Sequence, residues 1–294
     1  GVPSALGAYA AAGAGGVELV NGTLRYTGAS TTVNRGLTLK GSTGTLDVSS
    51  PGVTLAIGES ECADFSGTLS MTGASGSRLD MARITLVEGV NLTLNPTGLV
   101  VSVASVLGAT SYPLGAPTFT LSGVTTGNVV VGEITRINPP GSPFTRDLNL
   151  AKSGLGEWTV QGGVNFGAGK VTVNDGVLAL RGSSSYSGVT TINGGTVVVG
   201  TNAPHNANGA FGRATSEVVL GVAGGNNDAV ILIDGPHTVG RAIVLPSSDA
   251  VDVGTRTLML GGNAATNATF SGDITLGTDN RAGRDLTLTA AAGG

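Results

Sequence analysis

Gly169-Lys170-Val171-Thr172-Val173 returns nineteen residues later as Gly188-Val189-Thr190-Thr191-Ile192, and Asn174-Asp175-Gly176-Val177-Leu178-Ala179-Leu180 returns as Asn193-Gly194-Gly195-Thr196-Val197-Val198-Val199. Each copy holds two short strands whose apolar residues point one way, broken by Gly and Asn where the chain must turn. A step of this size, repeated, is one coil of a β-solenoid, in which each turn buries its inner face on its neighbours. The expected fold is all-β, a parallel β-helix of roughly 19–20 residues per coil.

Working outward, the composition agrees. Glycine supplies 50 of 294 residues, against about 7% in ordinary globular chains. Charged residues make up 12% of the chain, about half the usual share. Disorder goes with low hydrophobicity and high net charge. This chain has 40% hydrophobic residues and a net charge of −4, so repeating β-structure is the better account. With about 20 residues per coil and strands about 4.8 Å apart, the chain would wind roughly 14 coils over about 70 Å. The 15 basic residues are scattered singly, which excludes a nucleic-acid footprint. The single cysteine, Cys62, excludes an intrachain disulfide. No run reaches the ~18 apolar residues of a membrane helix, and no motif implies a cofactor. The start at Gly1 without Met, and an end directly after a strand pattern, lead us to expect an excerpt of a longer secreted polypeptide, or a processed one.

Four regions are expected. Residues 1–16 form an Ala/Gly-rich lead-in. Residues 17–95 read as solenoid coils, with strand-like runs such as Leu37–Lys40 and Val53–Ile57. Residues 96–147 hold Pro96, Pro113, Pro117, Pro139, Pro140 and Pro143, six of the eleven prolines, and read as irregular coils or an insertion. Proline cannot donate to a ladder and belongs at edges and turns. Residues 148–294 resume the solenoid, with a longer loop at 200–215.

Lys152-Ser153-Gly154-Leu155-Gly156-Glu157-Trp158-Thr159-Val160, followed by Tyr186-Ser187-Gly188-Val189-Thr190-Thr191-Ile192-Asn193-Gly194-Gly195-Thr196-Val197-Val198-Val199, resembles the autotransporter-associated β-strand repeat. That repeat reads K-x-G-x-G-x-W/L-T-L and then Y-[ST]-G-x-T-x-[IV]-x-x-G-T-L. Glu157 stands where a small polar residue is usual, and Gly176-Val177-Leu178 replaces Gly-Thr-Leu. Gly22–Ala29 and Asn34–Leu39 look like segments that accompany such repeats. The resemblance, clear over about a fifth of the chain, implies a right-handed parallel β-helix in a secreted or bacterial cell-surface setting. It carries no catalytic residues to transfer.

Candidate chemistry is sparse, and each candidate has a plainer structural counterpart. Gly169, Gly176, Gly188 and Gly195 are read as repeat positions at corners. Asn174 and Asn193 are read as turn residues tolerant of left-handed backbone, with a side-chain amide ladder as an added contact. Phe166 and Tyr186, about one coil apart, are expected to stack. Trp158, the one tryptophan, is read as core packing rather than a sugar platform. Glu59, Glu61 and Asp64 place three carboxylates in six residues and form the metal candidate, for calcium; a solvated loop is the commoner meaning. Gly224-Gly225-Asn226-Asn227-Asp228 lacks the glycine and aspartate spacing of a calcium nonapeptide. His205 and His237 have no partners at metal spacing, and no G-x-S-x-G elbow is present. The acidic neighbours of Cys62 disfavour a thiolate.

The functional expectation is a non-enzymatic extracellular structural segment of a bacterial secreted protein: a surface stalk, filament or adhesin shaft. Self-association through the solenoid ends, and a host-surface or glycan ligand, are the partners it allows. The alternative is a carbohydrate-binding or polysaccharide-cleaving β-helix, with a groove between the 96–143 region and the 200–215 loop.

Overall fold

The computed structural model describes residues 16–87, 89–108, 116–136, 147–223, 225–246, 257–263, 267–276 and 286–289. Within them the chain is all β. Twenty-five strands join one parallel sheet, with a two-stranded parallel pair beside it. A sheet of that size closes the parallel-strand problem by winding. Each strand pairs with the strand one coil before it and one coil after it, so every coil covers the apolar face of the last. The result is a parallel β-helix.

Three faces recur. On the first, Val17–Val20 pairs with residues 37–40 of the long strand Leu37–Val48. On the second, Thr23–Tyr26 pairs with residues 45–48 of that same strand, which therefore turns a corner without breaking its ladder. On the third, Thr31–Val33 pairs with Thr54–Ile57. Ser60–Gly73, Arg78–Leu86 and Val100–Gly108 also run through a corner. The second face continues to Ile274–Thr275 and the third to Leu286–Thr289.

Alternation within each strand builds the bore. On the second face, Leu69, Leu94, Leu121, Lys152, Val173, Ile192 and Leu220 lie over one another in one inward column. On the third, Leu79, Val101, Asn128, Trp158, Leu178, Val197, Ile231 and Leu260 form another. All fifteen side chains are at most 1% exposed. Burial of such columns, at about 25 cal/mol per Å² of apolar surface, is the main stabilising term.

The coil length corrects the sequence reading in part. Between the two recognised repeats the step is 19 residues, as in Val171 over Thr190. Elsewhere it widens: Thr54 lies over Arg78 and Thr118 over Asn149. The widest steps place Gly195 over Ala229, 34 residues on, and Ala203 over Val239, 36 residues on. The described residues therefore make eleven rungs on the second face, not fourteen. Ladder spacing constrains the strands, whereas the corners accept any loop that returns the chain to register.

Pro96 also departs from expectation. It lies inside the strand Leu92–Thr97, over Met71, with its ring buried. Its carbonyl still accepts from the Val124 N–H at 3.1 Å. Pro113, Pro139, Pro140 and Pro143, and nearly all of the 1–16 lead-in, lie outside the described residues.

Candidate functional site

The repeat residues converge on two corners of adjacent coils. At the corner between the second and third faces, Lys152 ends the strand Asn149–Lys152 pointing inward, because Leu148, Leu150 and Lys152 alternate with half-buried neighbours. Its ammonium donates to the carbonyls of Ser153 at 2.9 Å, Gly154 at 2.6 Å and, one coil on, Asp175 at 3.1 Å. An ammonium has three donors and no acceptor, so this cradle satisfies it fully. Burial pulls the group down from 10.5 to about 8, and the Asp175 charge opposes that fall.

The glycines shape this corner. Gly154, Gly176 and Gly195 have φ of +71°, +67° and +78°. A Cβ on Gly176 would lie 2.3 Å from the Gly154 carbonyl oxygen and 2.6 Å from Lys152 Nζ. Left-handed backbone and close approach thus both require glycine. Asn174 and Asn193 sit two residues earlier in ordinary backbone, and Asn193 Nδ2 donates to Asn174 Oδ1 at 2.8 Å. The amides ladder, and the left-handed turn falls to the glycines.

Trp158 fills the bore one face on. It is fully buried, and its Nε1–H donates to the Ser122 carbonyl at 2.8 Å. A buried indole presents nothing to a sugar. Beneath it in the same column, buried Asn128 accepts from the Val101 N–H at 2.9 Å and donates to the carbonyls of Thr125 and Glu157. A polar side chain in an apolar column is stable only with its partners made, and these are made.

The second corner is aromatic. Phe166 and Tyr186 stack with ring centroids 5.6 Å apart. The Tyr186 hydroxyl bonds Thr190 Oγ1 at 2.7 Å, and burial pushes that phenol far above its usual range. Nearby, Arg241 is fully buried; it donates to the carbonyls of Phe211, at 2.7 Å, and Ser216. Gly169 and Gly188 lie where the preceding coil's backbone passes, since a Cβ on Gly188 would meet the Gly169 carbonyl oxygen at 2.1 Å.

The acidic candidates do not converge. Glu59 pairs with Arg83 at 2.5 Å. Glu61 lies over Thr38, while Asp64 lies over Lys40, whose ammonium pairs with Glu18 at 2.8 Å. Among the described residues no three His, Cys, Asp or Glu side chains gather as metal ligands. Stacking coils sets carboxylates against cations of the neighbouring coil instead. Cys62 is buried and its thiol is pushed up to about 12, chiefly by burial and then by the Glu61 charge. Of the 200–215 loop expected to line the alternative groove, Ala203, Ala210, Phe211 and Ala214 turn into the core, while residues 205–208 are exposed. Of its other wall, residues 96–143, residues 109–115 and 137–143 lie outside the described residues.

Sequence reading named Lys152 within the repeat but assigned no role to it, to Asn128 or to Arg241. The signal was present. Asn128-Val129-Val130, Leu148–Lys152 and Arg241–Leu245 each alternate so that the polar residue shares the parity of buried apolar ones.

Over 300 aligned positions, covering 92% of this chain, the sequence is 27% identical to the adhesin BmaC autotransporter of Brucella suis biovar 1 (strain 1330). The chain is similar to a stretch of an autotransporter adhesin. It spans 8% of that relative's length. No family model matches the chain, and no solved structure matches it significantly. The likeness supports an autotransporter-like β-helix rather than one particular repeat family. No helix among the described residues is long and apolar enough to cross a membrane.

Proposed function

We propose that this chain is a shaft segment of a secreted, surface-displayed bacterial passenger, adhesin-like in setting and non-enzymatic in action. Its β-helix is of the kind in which autotransporter-associated β-strand repeats supply the most regular coils. The observation that carries this reading is the unbroken bore. Its buried columns run from Leu69 and Leu79 to Leu220 and Leu260, and the polar groups within it, Lys152, Asn128 and Arg241, are spent on backbone carbonyls and amides. Groups so engaged stiffen a rod, and their full burial keeps them from meeting a substrate. The likeness to a stretch of an autotransporter adhesin supports the setting.

The mechanism is mechanical. Axial ladders resist bending, corner loops vary without disturbing the bore, and the outer surface carries the contacts that face other molecules. Open strand edges at the ends of such a rod pair with further coils or with another copy. The test is display of the passenger on a heterologous bacterium, with and without residues 17–289. Loss of adhesion to host cells or to abiotic surfaces on deletion is expected; unchanged adhesion overturns the adhesin reading. Electron microscopy of the released material tests the rod. Isolated, end-capped particles would count against assembly through the ends.

A further inference from the structure

We infer that Asn21-Gly22 is a self-modifying site: in the folded chain the Gly22 backbone nitrogen closes on the Asn21 side chain, expels ammonia and leaves an aspartate at the first described corner. This chemistry is independent of the surface-passenger reading.

Asn-Gly occurs three times in the chain, at 21–22, 193–194 and 208–209. Each sets an amide carbonyl before a backbone nitrogen that no side chain shields, so the sequence ranks the three alike. The fold separates them. The Gly194 N–H donates to the Val173 carbonyl at 3.3 Å, and the Gly209 N–H to the Ser184 carbonyl at 3.1 Å. Both glycines are buried, and Asn193 Nδ2 is tied to Asn174 Oδ1 at 2.8 Å. A nitrogen held this way neither gives its proton to water nor turns toward the side chain. At the first site the Gly22 N–H and Asn21 Nδ2 have no hydrogen-bond partner among the described residues. Asn21 is exposed there, and Gly22 is half-buried.

What is held instead is the carbonyl. Asn21 turns the corner between Val17–Val20 and Thr23–Tyr26 with φ of +49°. That left-handed backbone is uncommon outside glycine, and the side chain secures it. Asn21 Oδ1 accepts from the backbone N–H groups of Ser42 at 2.9 Å and Thr43 at 3.1 Å, and from the Thr43 hydroxyl at 3.5 Å. Two N–H groups of the next coil aimed at one carbonyl oxygen form a cradle for negative charge on that atom. Attack of a nitrogen on Asn21 Cγ places the charge there.

The Gly22 nitrogen loses its proton to water or hydroxide and bonds to Asn21 Cγ, closing a cyclic intermediate whose charge sits on Oδ1. Collapse breaks the Cγ–Nδ2 bond, and Nδ2 takes a proton from solvent and leaves as ammonia. Water then opens the cyclic imide. Because the Ser42 and Thr43 N–H groups polarise the Cγ carbonyl, water adds at Cγ and the Cγ–N bond breaks. The ordinary peptide returns, now with an aspartate. One water is consumed, one ammonia is released and one negative charge is gained. The new carboxylate keeps both N–H partners as charge-assisted bonds.

The test follows all three sites by peptide mapping of the 294-residue chain, folded and in urea, near neutral pH in water enriched in heavy oxygen. In the folded chain Asn21 should convert about ten-fold or more faster than Asn193 or Asn208, with the three alike in urea. Asn21 should take up heavy oxygen and appear as aspartate, whereas the unfolded chain gives isoaspartate in excess. Gly22→Ala has room, since its Cβ would come no closer than 3.5 Å to Leu19 Cδ1. It should keep the parent's circular dichroism and slow conversion about ten-fold or more by crowding the attacking nitrogen. An Asn21 that outlasts Asn193 or Asn208, reacts no faster folded than in urea, yields mainly isoaspartate, or keeps the parent's rate in Gly22→Ala would overturn the inference.

Discussion

Coils 149–199 and 200–262 share the same faces and inward columns, yet the first take 19–21 residues per turn and the second up to 36. In the tight coils, corners are made by glycine with positive φ and by backbone passing at van der Waals distance. In the wide coils the excess chain leaves the faces and returns, and part of it folds inward: Phe211 enters the core and buried Arg241 ties its carbonyl and that of Ser216 to the next coil. A ladder tolerates no change in spacing, but a corner can be closed either by geometry or by a loop that supplies its own core.

The comparison can be broken at its most tightly filled point. Trp158→Ala removes the largest buried side chain and leaves the Ser122 carbonyl without its donor. A loss of about 3–5 kcal/mol is expected, read as a lowered urea midpoint. A comparable midpoint to the parent would show that the bore relaxes around the gap.

Lys152→Met keeps the length of the side chain but strips three carbonyls of their donor. It is expected to cost about 2–3 kcal/mol near neutral pH. The pH dependence sharpens this. Because burial lowers the Lys152 ammonium to about 8 from 10.5, the folded chain releases this proton before the unfolded chain does. Between those values the unfolded state holds more protons, so the Lys152 contribution to stability rises with pH and is lost as pH falls through 8. The parent should therefore gain on Lys152→Met between pH 8 and pH 10.5; a constant difference in midpoint across that window would refute the buried-ammonium account.

Gly176→Ala tests closure by geometry. Left-handed backbone and the approach to the Gly154 carbonyl make a loss of about 1–3 kcal/mol the expected result, with Lys152 displaced from its cradle. The smallest effect belongs to the wide coil. Five Gly/Ser residues inserted between Ala207 and Asn208, both exposed, should cost about 0.6 kcal/mol or less, since closure entropy grows slowly with loop length. A large loss there would show that the loop, like the tight corners, is held by geometry.

Much of this was written in the local pattern. Alternation, glycine-asparagine punctuation and the nineteen-residue echo specify strands, an inward face and winding, because each is a property of a few consecutive residues or of one coil against the next. Trp158 and the Phe166–Tyr186 pair were legible for the same reason, as positions of one repeat. The polar residues of the bore were legible in parity but not in purpose. Whether Lys152 points to water or to three carbonyls depends on Asp175, which belongs to another coil. The tertiary structure alone decided how many residues each coil takes, that Glu59, Glu61 and Asp64 part to face separate neighbours, and that Thr43, Thr68, Thr93 and Thr120, 25 to 27 residues apart, line up in one outward column. The physical reason is that register between coils is set by the lengths of the corners, and those lengths follow no period that the sequence repeats.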